Sequence, residues 1–117
     1  MGTLFYGAGR LAINLDDRVL AHLQIAISTK LRRHETFMLN WRDNEAVGDG
    51  RSGVWIGPDT DLHFKYSGSR FPEINTDWVN SLVASASTPL GLQLHDEATL
   101  DAPPRPSNGG RTSAPPR

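Results

Sequence analysis

Lys65, Tyr66, Ser67 and Gly68 come one residue short of a K-x-D-G loop, in which a lysine amine attacks an α-phosphate and the acid supports nucleotidyl transfer. Ser67 stands where that acid is needed, and 117 residues hold about one domain, too few for a nucleotide-handling domain plus a substrate domain. The segment therefore reads as a lysine at a strand end before a turn. Gly7, Gly9 and Ala12 in "YGAGRLA" have the G-x-G-x-x-A spacing that brings a backbone up to a pyrophosphate. That mechanism needs a helix opening at the second glycine, whereas Leu11, Ile13 and Leu15 alternate as a strand does. Asp43, Glu45 and Gly48 match part of a calcium loop, but Val47 and Val54 occupy its fifth and twelfth positions, where oxygen ligands are required. "GRSG" is not the G-x-S-x-G of a nucleophile elbow, and the four histidines fall in no metal or triad spacing. Ser52, Asp61 and His63 are triad residue types with no spacing that makes them meet. No catalytic residue, metal ligand or cofactor is assigned.

The remaining chemistry is cationic. "ISTKLRRHETFMLNW" places Lys30, Arg32, Arg33 and His34 within five positions and then turns apolar. Lys+Arg number 12 against Asp+Glu 13, a net charge of -1, so no global basic field exists and any nucleic-acid contact needs a local patch. Cysteine is absent, which excludes disulfides and thiolate metal sites and fits a reducing compartment. "MGTLFYGAGR" has no basic n-region and apolar core, and no run approaches the ~20 apolar residues of a membrane span. Tyr6 stands where N-myristoylation needs Ser or Thr. The expectation is a cytoplasmic protein with no membrane contact.

These groups must be positioned by a small set of elements. "TLFY" and "LAINL" read as strands with Gly7 and Gly9 in the turn between them. Leu20, Leu23, Ile27 and Leu31 recur at helical spacing, widened by Val19 and Ala26. Asp16 is the predicted N-cap, with Leu15 stapled on Leu20. Lys30, Arg32 and Arg33 then form a basic helix end, where exposed cations complement the carbonyl dipole by ~0.3–1 kcal/mol each. "TFMLNWR", "RSGVWIG" and "DLHFKY" alternate with period two and are expected to form a meander, with "DNEAVGDG" as a hairpin loop. Asn75 caps a second helix with stripe Val79, Leu82, Val83 and Ala86, and Pro89 ends it. "LGLQL" is expected as a last strand with Leu90, Leu92 and Leu94 inward.

The predicted fold class is α+β: a two-layer sandwich of a mainly antiparallel sheet with two helices on one face, in the order ββαβββαβ. Residues 1–97 form its single domain. Residues 98–117, with five of the eight prolines and no large apolar side chain after Leu100, read as a disordered tail. Pro103 and Pro106 make a chance-level PxxP around Arg105.

"MGTLFYG", "DDRVLAHLQIAISTKLRR", "NWR", "GRSGVWI" and "LHF" together resemble a family of short uncharacterised proteins from high-GC Gram-positive bacteria and their phages. The resemblance spans roughly residues 1–94, with "TKLRR" its most distinctive part. Members often carry an automatically transferred ATP-dependent DNA ligase label, which conflicts with the incomplete K-x-D-G segment.

With both helices on the face of Phe37, Leu39, Trp41, Val54, Ile56, Leu62 and Phe64, the opposite face carries Asn14, Met38, Asn40, Arg42, Trp55, His63, Lys65 and Gln93. Asn40, Arg42, Trp55, His63 and Lys65 are the candidate binding face, because bases interleaved with an aromatic suit a strand-face platform for nucleic acid. The expected function is a non-enzymatic binding module whose partner is nucleic acid, another protein or a second copy of the chain. A nucleic-acid-processing enzyme is the alternative.

Overall fold

The computed structural model describes residues 1–43 and 50–97. Of the expected loop at 43–50, residues 44–49 lie outside the described residues, as do the tail and its PxxP. Among the described residues the order is β1 (Gly2–Tyr6), β2 (Leu11–Leu15), α1 (Asp17–Arg32), β3 (Phe37–Arg42), β4 (Arg51–Ile56), β5 (Leu62–Lys65), α2 (Thr76–Ala86) and β6 (Leu92–Gln93). The fold is α+β, ββαβββαβ, as its periodicities predict.

The strands form two three-stranded sheets, β2-β1-β5 and β4-β3-β6. The first is antiparallel throughout, while β6 joins β3 in parallel. The expected meander is corrected here: β3 and β4 form its hairpin, but β5 leaves them and pairs with β1, setting Phe64 opposite Leu4 and His63 opposite Phe5. Alternation dictates which face a strand buries, and a strand with either neighbour satisfies it equally. The Gly57–Thr60 turn, closed by Thr60 N–H on the Gly57 carbonyl at 3.0 Å, carries β5 to the open edge of β1. There Gly7 N–H donates to the Asp61 carbonyl at 2.8 Å and extends the ladder.

Both sheets feed one core. Leu4 and Ile13 from the first and Phe37, Leu39, Ile56 and Leu92 from the second meet Leu20, Leu23 and Ile27 of α1 and Trp78 and Leu82 of α2. Each such side chain contributes ~1.5–3 kcal/mol by leaving water. Gly2 lets α1 close on β1, since a Cβ there would sit 2.7 Å from Leu20 Cδ2 and 2.8 Å from the Lys65 carbonyl. The expected last strand shrinks to Leu92–Gln93, and Leu90 is 75% exposed rather than inward. The cause is a turn: Gly91 N–H donates to the Thr88 carbonyl at 3.0 Å, with Gly91 left-handed at φ +85 against Met38.

The helix ends follow capping chemistry. Asp16 occupies the N-cap of α1 without a side-chain cap bond, whereas Asn75 accepts Trp78 N–H at 3.2 Å and caps α2. At the end of α1, Glu35 N–H donates to the Lys30 carbonyl at 3.2 Å and His34 N–H to the Leu31 carbonyl at 2.9 Å. With His34 at φ 59, this is a Schellman motif with histidine in the position that glycine usually takes.

Candidate binding surface

Register distributes the candidate face over both sheets. On β3 and β4, Arg42 stands opposite Arg51, Asn40 opposite Gly53 and Met38 opposite Trp55, with Gln93 of β6 on the other side of Asn40. Alternation puts all of these on the outer face, because Phe37, Leu39 and Ile56 between them are buried. His63 and Lys65 stand opposite Phe5 and Thr3 in the other sheet. Asn40, Arg42 and Trp55 therefore lie on one sheet and His63 and Lys65 on the other, which corrects the single sheet expected from a meander.

The outer face of β4-β3-β6 is hollowed into a groove of about 680 Å³, with Asn40, Arg42, Arg51, Gly53, Leu90 and Gln93 in its lining. Its floor is rigid. Asn40 Nδ2 donates to the Leu90 carbonyl at 2.8 Å, and Gln93 Nε2 donates to the same oxygen at 3.1 Å. Asn40 Oδ1 lies over Gly53, 2.6 Å from where a Cβ would be, so glycine is what lets the amide lie flat. Trp55 is 54% exposed, and its backbone carbonyl accepts the Tyr6 hydroxyl at 2.6 Å, tying β4 to the other sheet.

On the second sheet, Arg10 lies 4.3 Å over the Phe5 ring, and its guanidinium approaches His63 Nδ1 at 3.2 Å. These residues border a hollow of about 380 Å³ beside Asp61. Lys65 is exposed at the end of β5. Beyond it, Ser67 and Gly68 donate their N–H groups to the two Asp17 oxygens at 3.1 and 2.9 Å, and these bonds hold the Asp17 carboxyl below its ordinary value. Tyr66 donates its hydroxyl to Gln24 Oε1 at 2.6 Å, and burial pushes that phenol up.

The basic helix end divides. Arg32 and Arg33 are exposed, but Lys30 is 4% exposed, which corrects its expected place on an exposed helix end. Its Nζ donates to Ser87 Oγ at 2.9 Å and pairs with Glu35 at 2.9 Å. Glu35 is thereby held below its ordinary value.

Two polar centres, one buried and one half-buried, escaped the sequence reading. His22 is fully buried, accepts Asn75 N–H at Nε2 (2.8 Å) and contacts the Arg18 carbonyl through Nδ1 (2.7 Å). Its ring proton therefore sits on Nδ1, and the ring rests 4.4 Å from that of Trp78. Arg18 grips Glu97 with two bonds of 2.8 and 2.7 Å while Asn75 Nδ2 adds a third at 2.8 Å. Those bonds bring the Glu97 carboxyl down to about 2.

The model of a domain of unknown function, DUF7882, matches residues 1–97. The chain belongs to the DUF7882 family. No curated protein and no solved structure matches it. The DUF7882 match takes in both sheets, the groove and the Glu97 clamp. Among its described residues no helix is long and apolar enough to cross a membrane, and no three His, Cys, Asp or Glu side chains gather to hold a metal.

Proposed function

We propose that the DUF7882 domain is a non-enzymatic binding module with residues 1–97 as its folded unit, working through the outer face of β4-β3-β6 on a partner that carries negative charge. The carrying observation is Arg42 directly opposite Arg51 at one end of the groove. Two guanidinium groups at directly opposed positions offer planar donors to one anion. The Asp17 clamp on Ser67 and Gly68 supports this reading over nucleotidyl transfer, because the backbone donors of the K-x-D-G-like segment are already committed to a carboxylate.

Retention on a heparin column at physiological salt tests the proposal. With a net charge of -1, binding to a polyanion requires a local patch. Wild type should be retained and Arg51→Glu should flow through, while the Arg32→Gln/Arg33→Gln double variant should stay retained. Equal retention of wild type and Arg51→Glu, or loss only in the helix-end variant, would place the charge-reading surface elsewhere.

A further inference from the structure

We infer that the anionic partner of this groove is single-stranded nucleic acid, an inference that rests on the binding reading above and names its ligand. Along β4 the outward positions are Arg51, Gly53 and Trp55. A strand rises ~3.4 Å per residue, so successive outward positions stand ~7 Å apart, comparable to one nucleotide of an extended single strand. The three positions differ in chemistry in a matching order. Arg51 faces Arg42 at one end and supplies planar donors for phosphate oxygens.

At the centre, Gly53 has no side chain, and the Asn40 amide nitrogen is spent on the Leu90 and Leu92 carbonyls, while Gln93 turns one donor to Leu90 as well. The group held over Gly53 is the acceptor Asn40 Oδ1. An acceptor repels a phosphate or carboxylate and attracts the N–H groups on a base edge. At the other end the half-exposed Trp55 ring, beside Met38, offers a stacking surface that any base can use. Anion site, acceptor and flat ring in sequence describe a nucleotide. A uniformly charged polymer uses only the arginine end, an acidic peptide lacks the flat ring, and a duplex keeps its base faces stacked internally.

The test is fluorescence anisotropy of a labelled 20-mer single-stranded DNA at several salt concentrations, with intrinsic tryptophan fluorescence followed in parallel. Unlabelled duplex of the same sequence and polyglutamate serve as competitors. The single strand should bind and quench tryptophan, with both competitors at least tenfold weaker. Trp55→Ala should weaken binding about tenfold or more, whereas Trp55→Phe should keep most of the affinity and lose the quenching, leaving the signals of Trp41 and Trp78 in a folded protein. Arg51→Gln should lower affinity and reduce the salt slope by about 0.7. Duplex or polyglutamate competing as well as the single strand, or Trp55→Ala binding like wild type, would overturn the single-strand assignment and leave an anion-binding face standing. Absence of binding to every polyanion, with Arg51→Glu unchanged on heparin, would remove the face and this inference together.

Discussion

Lys30→Met should be nearly silent where Lys30→Ala is severe. The Lys30 side chain is 4% exposed and lies between α1 and the end of α2, with its ammonium between Ser87 and Glu35. Truncation to alanine deletes three methylenes from a buried stem at ~0.8 kcal/mol each and leaves a partial cavity, for a total of ~2–3 kcal/mol. Methionine keeps the unbranched length and loses only the polar head. Ser87 is exposed and Glu35 is 46% exposed, so both partners rehydrate and no buried charge is orphaned. The cost to methionine is therefore ~1 kcal/mol or less. At ~4–8 °C per kcal/mol for a domain of this size, alanine should lower Tm by about 10–20 °C and methionine by less than about 8 °C. Circular dichroism melts with urea midpoints as a cross-check would measure both. Equal losses would show that the ion pair, not the packed stem, stabilises this corner.

Gly91→Ala adds a Cβ 2.6 Å from the Met38 carbonyl oxygen at a left-handed φ of +85, so a loss of ~3 kcal/mol or more is expected in urea unfolding, and a loss under 1 kcal/mol would contradict the packing. His34→Gly relieves the left-handed φ of 59 in the Schellman motif and should stabilise by ~0.5–1 kcal/mol; a lower urea midpoint would refute the strain argument. Glu97, held to about 2 from an ordinary value of 4.5, and Asp17 and Glu35, both lowered, are ionised more readily folded than unfolded. Their stabilisation is present above pH ~4.5 and is lost as pH falls through the folded values. Urea midpoints at pH 7 and pH 3 should differ less for Glu97→Gln than for wild type, and an unchanged difference would mean that the Arg18 clamp does not persist in solution.

The helices and the inward set of each strand were legible because burial imposes a period, and Leu20, Leu23, Ile27 or Phe37 and Leu39 obey it. The strand partners were not. Leu62 and Phe64 fit inward beside β4 or beside β1 equally well, and only the path of the turn after Ile56 decides. The same limit governs the site: outward positions 40, 42 and 55 are readable, but their separation from 63 and 65 depends on that pairing. The hairpin register that sets Arg42 against Arg51 was within reach once Phe37 was placed opposite Ile56.

His22 and Lys30 mark a different boundary. Both fall on the buried stripe of α1 when counted at three and four residues from Val19, Leu23, Ala26 and Ile27, so the period itself pointed to them. A polar group there is costly unless its hydrogen bonds are met, and the groups that meet them, Asn75 N–H and Ser87 Oγ, lie 53 and 57 residues away. Sequence spacing carries the demand but not the partner. The basic stretch resolves in the same terms: Lys30 is drawn inward by Ser87 and Glu35, the chain reverses at an exposed His34, and Arg32 and Arg33 stay at the surface. A helix end that uses its chain reversal and its lysine for tertiary contacts needs no ligand to explain them.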